Sequence, residues 1–506
     1  MNSGQARMRL VQAGSVLAAA VLFAGCGSAY RPVVTPINPS GPAQQPQSFA
    51  VVVSVPSSST PGIATIIDYA GDTVLAQAPI GPGPSVFTID GTGFDGYTVN
   101  SDGTISNFPV SSSLQEKQVT YTSLSSSGQA APPHPPANIF SPSFGMWTAD
   151  QGGSYIDYFS GSPEGFKLAV PVTATPVTIA GPASSAQRDY AIVQKKASPT
   201  GVECNQSPTT GPAGEADAIE IATFTISAEI PVGKCPVFGI SSSDAKRFFV
   251  LNRGDDTITV INSQNNTLDA CTPFVNQTGQ TVTCHPSLSV SPAPGFTHAG
   301  PVYGEYNAAT NQLIVANYDG SSVSVIDVSL DQFGNDSPTF GTTFTIPVGA
   351  KPASVTALAD GSRAYTANQS DGTANGTGNG TVTIVNLSSH TVEKTLPVIG
   401  HPRTVVSTEN SEYGKVYVAS PDSPYLTIIR TDQDIVDTTI LVEGNILDVR
   451  VSTQNASSGN SNAVSRTPGF GQVCNLPDVT GAYPGTTAQP SSSPANCAAQ
   501  NPSMLQ

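Results

Sequence analysis

A hydrophobic strand ending in Asn, a Gly/Asp turn and a second alternating strand recur as FFVLNRGDDTITVIN, LIVANYDGSSVSVID, AYTANQSDG with GTVTIVN, and VYVASPDSPYLTIIR. The anchor positions are Asn252, Asn317, Asn368 and Ser420, with weaker copies at Asn100, Asp150 and Gln194. Successive anchors differ by 50, 44, 58, 65, 51 and 52 residues. That period accommodates four short strands per unit, which predicts an all-β chain built as a β-propeller of four-stranded antiparallel blades. Charged residues are 11% of the chain, against roughly 25% in ordinary globular domains, and Gly and Pro are abundant, as a turn-rich array requires.

Alternation of apolar and polar residues, as in Thr257–Ile261 and Ser322–Ile326, marks half-buried strands. A Gly/Pro lead-in precedes several units (IGPGPSVFTID at 80, VGKCPVFGI at 232, VGAKPASVTAL at 348, IGHPRTVVST at 399) and predicts their inner strands. The turns at Asp102-Gly103, Gly254-Asp255, Asp319-Gly320 and Asp422 are expected to need positive φ. ILDVRVS at 446–452 lacks following strands, and the strands between 48 and 80 lack a leading one, so together they make a closing blade. Counting it with the seven anchors gives eight blades, or seven if the segment 174–232 is an insertion. Closure would remove the exposed edges of an open sheet.

The flanks differ in kind. Residues 1–25 form an export signal, with Arg7 and Arg9 before an apolar stretch from Leu10 to Phe23 that is too short to span a bilayer. Residues 26–47 are a Pro-rich tether, 48–454 the propeller, and 455–506 a low-complexity tail. The net charge of −16 disfavours nucleic acid. Apart from Cys26, the cysteines are even in number, which suits disulfides in an oxidising compartment. Proximity suggests Cys204 with Cys235, Cys271 with Cys284, and Cys474 with Cys497, although six cysteines allow 15 connectivities. A metal site on Cys284 and His285 lacks the close ligand spacing such sites use, and neither a metal nor a cofactor is expected.

Leu22, Phe23, Ala24, Gly25 and Cys26 resemble a bacterial lipoprotein signal, with Phe23 where the family more often has Leu. The resemblance implies cleavage before Cys26 and its acylation, palmitate included, so that the chain is held on the membrane. Gly27 is not the Asp that marks inner-membrane retention, which by the same resemblance points to the outer membrane. The competing reading is an ordinary secretory signal with Cys26 as a chance thiol. The Asn-ended strands resemble the YVTN family of propeller repeats, found in surface proteins and similar to lactonase-type and cytochrome-d1-type propellers. That resemblance covers residues 80–445, departs at Asp150, Gln194 and Ser420, and implies fold and export. The anchors Asn100, Asn252, Asn317 and Asn368 are expected to cap turns through the backbone two residues on.

Sharper local hypotheses each have a plainer rival. Arg253-Gly254-Asp255 is an adhesion tripeptide, yet it falls in the repeat's own hairpin turn. DGTANGTGNG from Asp371 could offer oxygens to calcium, but carries one carboxylate. His134, His285, His298, His390 and His401 are scattered, and no catalytic motif is present. Glu305, beside Tyr303 and Tyr306, would face the central channel as a packed or solvated carboxylate, or as a general base. Trp147, Tyr155, Tyr158 and Phe159 are candidates for an exposed aromatic face. Three functions are weighed: an envelope-anchored scaffold binding protein or glycan, a lactonase-like hydrolase working in the channel, and a passive surface protein.

Overall fold

The computed structural model describes residues 49–452, except 57–59, 92, 112–113, 115, 126–135, 137, 142–144, 151–153, 162–163, 182–187, 197–203, 205–206, 371–378 and 409–413. The signal, Cys26, the tether, the tail with Cys474 and Cys497, His134 and most of the Asp371 loop lie outside the described residues. Eight antiparallel sheets form a ring, a β-propeller with an innermost strand at the start of each blade. Helix among the described residues is limited to two single turns, Glu116–Gln118 and Pro208–Thr210.

The inner strands, in order, are Val86–Ile89 (blade 1), Asn138–Phe140 (blade 2), Thr175–Ala180 (blade 3), Pro236–Ser241 (blade 4), Pro301–Asn307 (blade 5), Ala350–Ala357 (blade 6), Thr404–Ser407 (blade 7) and Asn445–Val451 (blade 8). The segment 174–232 is therefore a full blade and not an insertion, which settles the count at eight. Blade 8 is the closure: Asn445–Val451 pairs antiparallel with Phe49–Val55, which continues to Pro61–Asp68 and Val74–Pro82. The ends of the propeller are also joined by hydrogen bonds, from Ser54 Oγ to Glu443 O at 2.7 Å and from the Phe49 amide to Ser452 Oγ at 2.9 Å.

The anchor asparagines do something other than the expected turn cap. Each donates its side-chain amide to two hydroxyls on the next strand: Asn100 to Thr104 and Ser106, Asn252 to Thr257 and Thr259, Asn317 to Ser322 and Ser324, Asn368 to Thr381 and Thr383, all within 2.8–3.2 Å. The physical reason is register. Asn252 stands opposite Thr257, so its carboxamide lies over the same face as Thr257 and Thr259, where a buried amide must find acceptors. Where Asn is absent the tie changes: the Ser420 hydroxyl donates to Ile399 O, and Gln194 reaches the next blade at Pro236 O.

The lead-in glycines follow from that tie. A Cβ on Gly81 would sit 2.2 Å from Asn100 Nδ2, and one on Gly233 or Gly349 would come within 2.8 Å of the carboxamide of Asn252 or Asn368. The turns also differ from expectation. Positive φ falls on Gly103, Ser154, Asp256 and Ser321, and not on Gly254, Asp255 or Gly320. Gly254 and Gly320 are small for space, since a Cβ would meet Pro208 O at 2.4 Å and Ala299 Cα at 2.8 Å.

Candidate functional site

At the centre of the ring, inner strands are joined blade to blade through side chains. Ala357 N donates to Glu305 Oε2 at 3.0 Å; Thr356 Oγ1 donates to Ser407 Oγ at 3.0 Å; Arg403 donates to Leu447 O at 2.7 Å; Arg450 donates to Phe87 O at 3.3 Å. These contacts run from blade 5 round to blade 1. They converge on a charged group made of Tyr303, Glu305, Arg403, Asp448 and Arg450, with Arg450 pairing Asp448 at 2.5 Å. Every member is at most 2% exposed. Burial pushes the Asp448 carboxyl up to about 6, against the pull of Arg450 and Arg403, and burial likewise lowers Arg450.

Glu305 is thus the one expected channel residue that the structure brings into a charged cluster, with Tyr303 beside it. Tyr306 instead donates to Asn311 Oδ1 at 2.7 Å, within its own blade. Arg403, Asp448 and Arg450 were not singled out from the sequence, although ILDVRVS carries the signal: two opposite charges two residues apart in an otherwise apolar strand. The cluster is sealed and internally compensated, so it acts as a polar keystone for closure.

The other candidates separate. Arg253 is fully buried and gives Asp319 two parallel hydrogen bonds, while Asp255 is exposed and accepts from Lys234 N, so the arginine of the adhesion tripeptide is turned into the fold. Of the proposed aromatic face, Trp147 and Phe159 are buried and Tyr158 packs on Trp147 with ring centroids 4.5 Å apart; Tyr155 alone is exposed. The described histidines occupy different blades: His285 pairs with Asp336 at 2.7 Å, His298 with Asp256 at 2.8 Å, His401 with Asp422 at 2.6 Å, and His390 stacks on Phe344. Among the described residues no group of three or more His, Cys, Asp or Glu could hold a metal.

Disulfides join Cys204 to Cys235 and Cys271 to Cys284. The second removes Cys284 as a metal ligand. It closes a feature that sequence periodicity did not reveal: blade 4's outer strand is split into Thr267–Leu268 and Ser287–Ser289, both paired with Thr257–Asn262, and a hairpin is inserted between them. The hairpin pairs Phe274 with Val282 and Val275 with Thr281. None of the residues from 271 to 284 is charged, and Phe274 and Val275 are 43% and 66% exposed. Its base is fixed by a buried network in which Arg247 pairs with Asp269 at 3.3 Å and with Asp336 at 2.9 Å, and Asp336 also holds His285. At its tip Asn276 donates to Asp331 Oδ2 at 3.3 Å, bringing the hairpin against the blade 5 loop that carries exposed Phe333.

No family model and no curated relative matches the chain. Solved propellers resemble it. Apo AztD from Citrobacter koseri has a TM-score of 0.50 at 12% identity over 80% of this chain and 97% of that one. A putative 6-phosphogluconolactonase from Bacteroides fragilis has 0.50 at 15% over 82% and 100%. The dihydro-heme d1 dehydrogenase NirN, in complex with DHE, has 0.52 at 13% over 83% and 79%. At these identities the likeness is one of fold, and the chain is a β-propeller scaffold.

Proposed function

We propose that the chain is an exported lipoprotein of the YVTN repeat type, anchored through acylated Cys26 at the outer membrane of the cell envelope, where its propeller binds a protein or glycan. One observation carries the binding role: a charge-free hairpin, stapled by Cys271–Cys284 and seated on an ion network, holds Phe274 and Val275 in solvent. Exposed apolar residues on a rigid mount are costly in a monomer and favourable in an interface. Disulfides accord with export to an oxidising compartment. The solved relatives named as a lactonase and a dehydrogenase suggest catalysis as an alternative, but Glu305 and Asp448 are buried from any substrate. A photo-crosslinking residue at position 275 should give discrete adducts on intact cells that disappear when the neighbouring exposed Phe274 is changed to Ser with the probe kept in place. Adducts of equal yield from a distant rim position such as 121 would remove the role from the hairpin. For the anchor, a Cys26→Ser chain that still partitions into detergent like the parent ends the acylation reading.

A further inference from the structure

Blade 2 keeps the repeat's geometry and changes its chemistry. Asp150 stands opposite Tyr155 as Asn252 stands opposite Thr257, and Asp157 stands opposite Thr148 as Thr259 stands opposite Val250. Asp150 therefore fills the anchor slot, and Asp157 fills the slot of the hydroxyl that accepts the anchor's amide. Met146 and Phe159, on the same face as Thr148, Asp150 and Asp157, join the core shared with blade 1, whereas Trp147 and Ile156 join the core shared with blade 3. Both carboxyls are buried on that blade 1 side. In blades 1 and 6 the threonine two residues before the anchor donates to the anchor's oxygen, and Thr148 holds the same position.

We infer that Asp150 and Asp157 form a carboxylic acid–carboxylate pair that shares one proton, making the second and third strands of blade 2 a latch that holds at acidic pH and loosens as the pair becomes doubly ionised. An Asn amide donates at every pH. A carboxyl can donate only while protonated, and two buried carboxylates side by side repel. Consistent with this, burial and then the Asp150 charge push Asp157 up to about 7. The titratable groups on surrounding elements are Asp90, Asp95, Tyr97, Asp102, Glu116, Lys117 and Tyr121 of blade 1, with Glu116 and Asp102 beside Tyr121, and Asp189 of blade 3, on the strand face that Ala191 and Val193 turn toward Trp147. Blade 2's outer strand Glu164–Pro171 carries Glu164 and Lys167, with Ala169 directly opposite Asp157, and the inner strands Asn138–Phe140 and Thr175–Ala180 carry none.

The full chain supplies its own reporter, because Trp147 is the protein's single tryptophan and adjoins Thr148. The test compares wild type with Asp150→Asn/Asp157→Thr, which installs the tie used in other blades, and with Asp157→Asn. Trp147 fluorescence should titrate near pH 7 in wild type, and both variants should lose the part of that step that survives Asp189→Asn, since Asp189 is also raised to about 7. The double variant should match wild type at pH 5 and melt higher by roughly 3 °C or more at pH 8.5. A melting difference independent of pH overturns the shared proton. So does a difference at pH 8.5 that millimolar calcium abolishes and EDTA restores, since the pair would then be holding a cation.

Discussion

The Arg253 guanidinium donates two parallel hydrogen bonds to the Asp319 carboxylate, at 2.8 Å from Nε and 2.7 Å from Nη2, and so fastens the second-to-third-strand turn of blade 4 to that of blade 5. The arginine also lies over the Tyr318 ring, 5.5 Å from its centroid. Asp319 in turn approaches His298, whose other ring nitrogen is held by Asp256. A tripeptide that in isolation suggests adhesion is therefore a blade-to-blade clamp.

Arg253→Ala should lower the unfolding free energy by about 3 kcal/mol, the low end for breaking a buried pair because Asp319 keeps some solvent contact. Arg253→Lys should recover little, since one ammonium cannot reproduce the paired geometry. Urea denaturation checks both, and a Lys variant as stable as wild type would reduce the clamp to a simple charge contact.

Gly349→Ala should cost about 1–3 kcal/mol, because the new methyl carbon would lie 2.6 Å from both Asn368 Nδ2 and Thr381 Oγ1 and would displace the anchor tie. Gly165→Ala, with nothing within 4 Å, should stay within about 0.5 kcal/mol of wild type. Equal losses at the two sites in denaturant midpoints would mean that backbone freedom, and not space, decides the lead-in glycine.

The repeat, the ring and its closing strands were legible because each is a local pattern repeated in register: Asn252 and Thr257-Ile-Thr259 can be seen on one line of sequence. The role of Asn252 was not, since whether its amide meets a backbone group two residues on or a hydroxyl across the sheet depends on which strand lies beside it. Glu305 could be placed on an inner strand, but its meeting with Ala357, and that of Arg450 with Phe87, link residues far apart along the chain. The split outer strand of blade 4 was hidden because two- and three-residue strands carry no periodicity. The proximity of Cys271 and Cys284 was the signal that did survive.

Melting temperature should peak at about pH 4 and fall from there toward pH 8, which calorimetry from pH 3 to 9 can follow. Burial raises Asp189 and Asp157 to about 7, and Asp269 and Asp448 to about 6, above their ordinary 3.8. Each binds its proton more tightly folded than unfolded, so the associated stability is present at acidic pH and is lost as pH climbs through the folded value. For His298, burial is outweighed by the hydrogen bond and charge of Asp256, and its raised value acts in the same direction. Asp422 opposes them: hydrogen bonds from His401 overcome its burial and hold it low, so its contribution disappears as pH falls below about 4. An optimum at pH 7–8 would contradict the burial of these carboxyls.

Asp448 and Arg450 decide how the ring is locked, because both lie on the C-terminal strand that the N-terminal strand Phe49–Val55 must recognise. Removing either partner leaves a buried charge facing Arg403 or Glu305, so Asp448→Ala and Arg450→Ala should each cost about 3–5 kcal/mol. The double variant Asp448→Leu/Arg450→Met removes both charges while keeping volume, and should lose less than either single change. Losses that add in a double-mutant cycle would show two independent contacts. Coupling that exceeds either remaining loss would identify the pair as one unit, retained for the register at which the two ends of the chain meet.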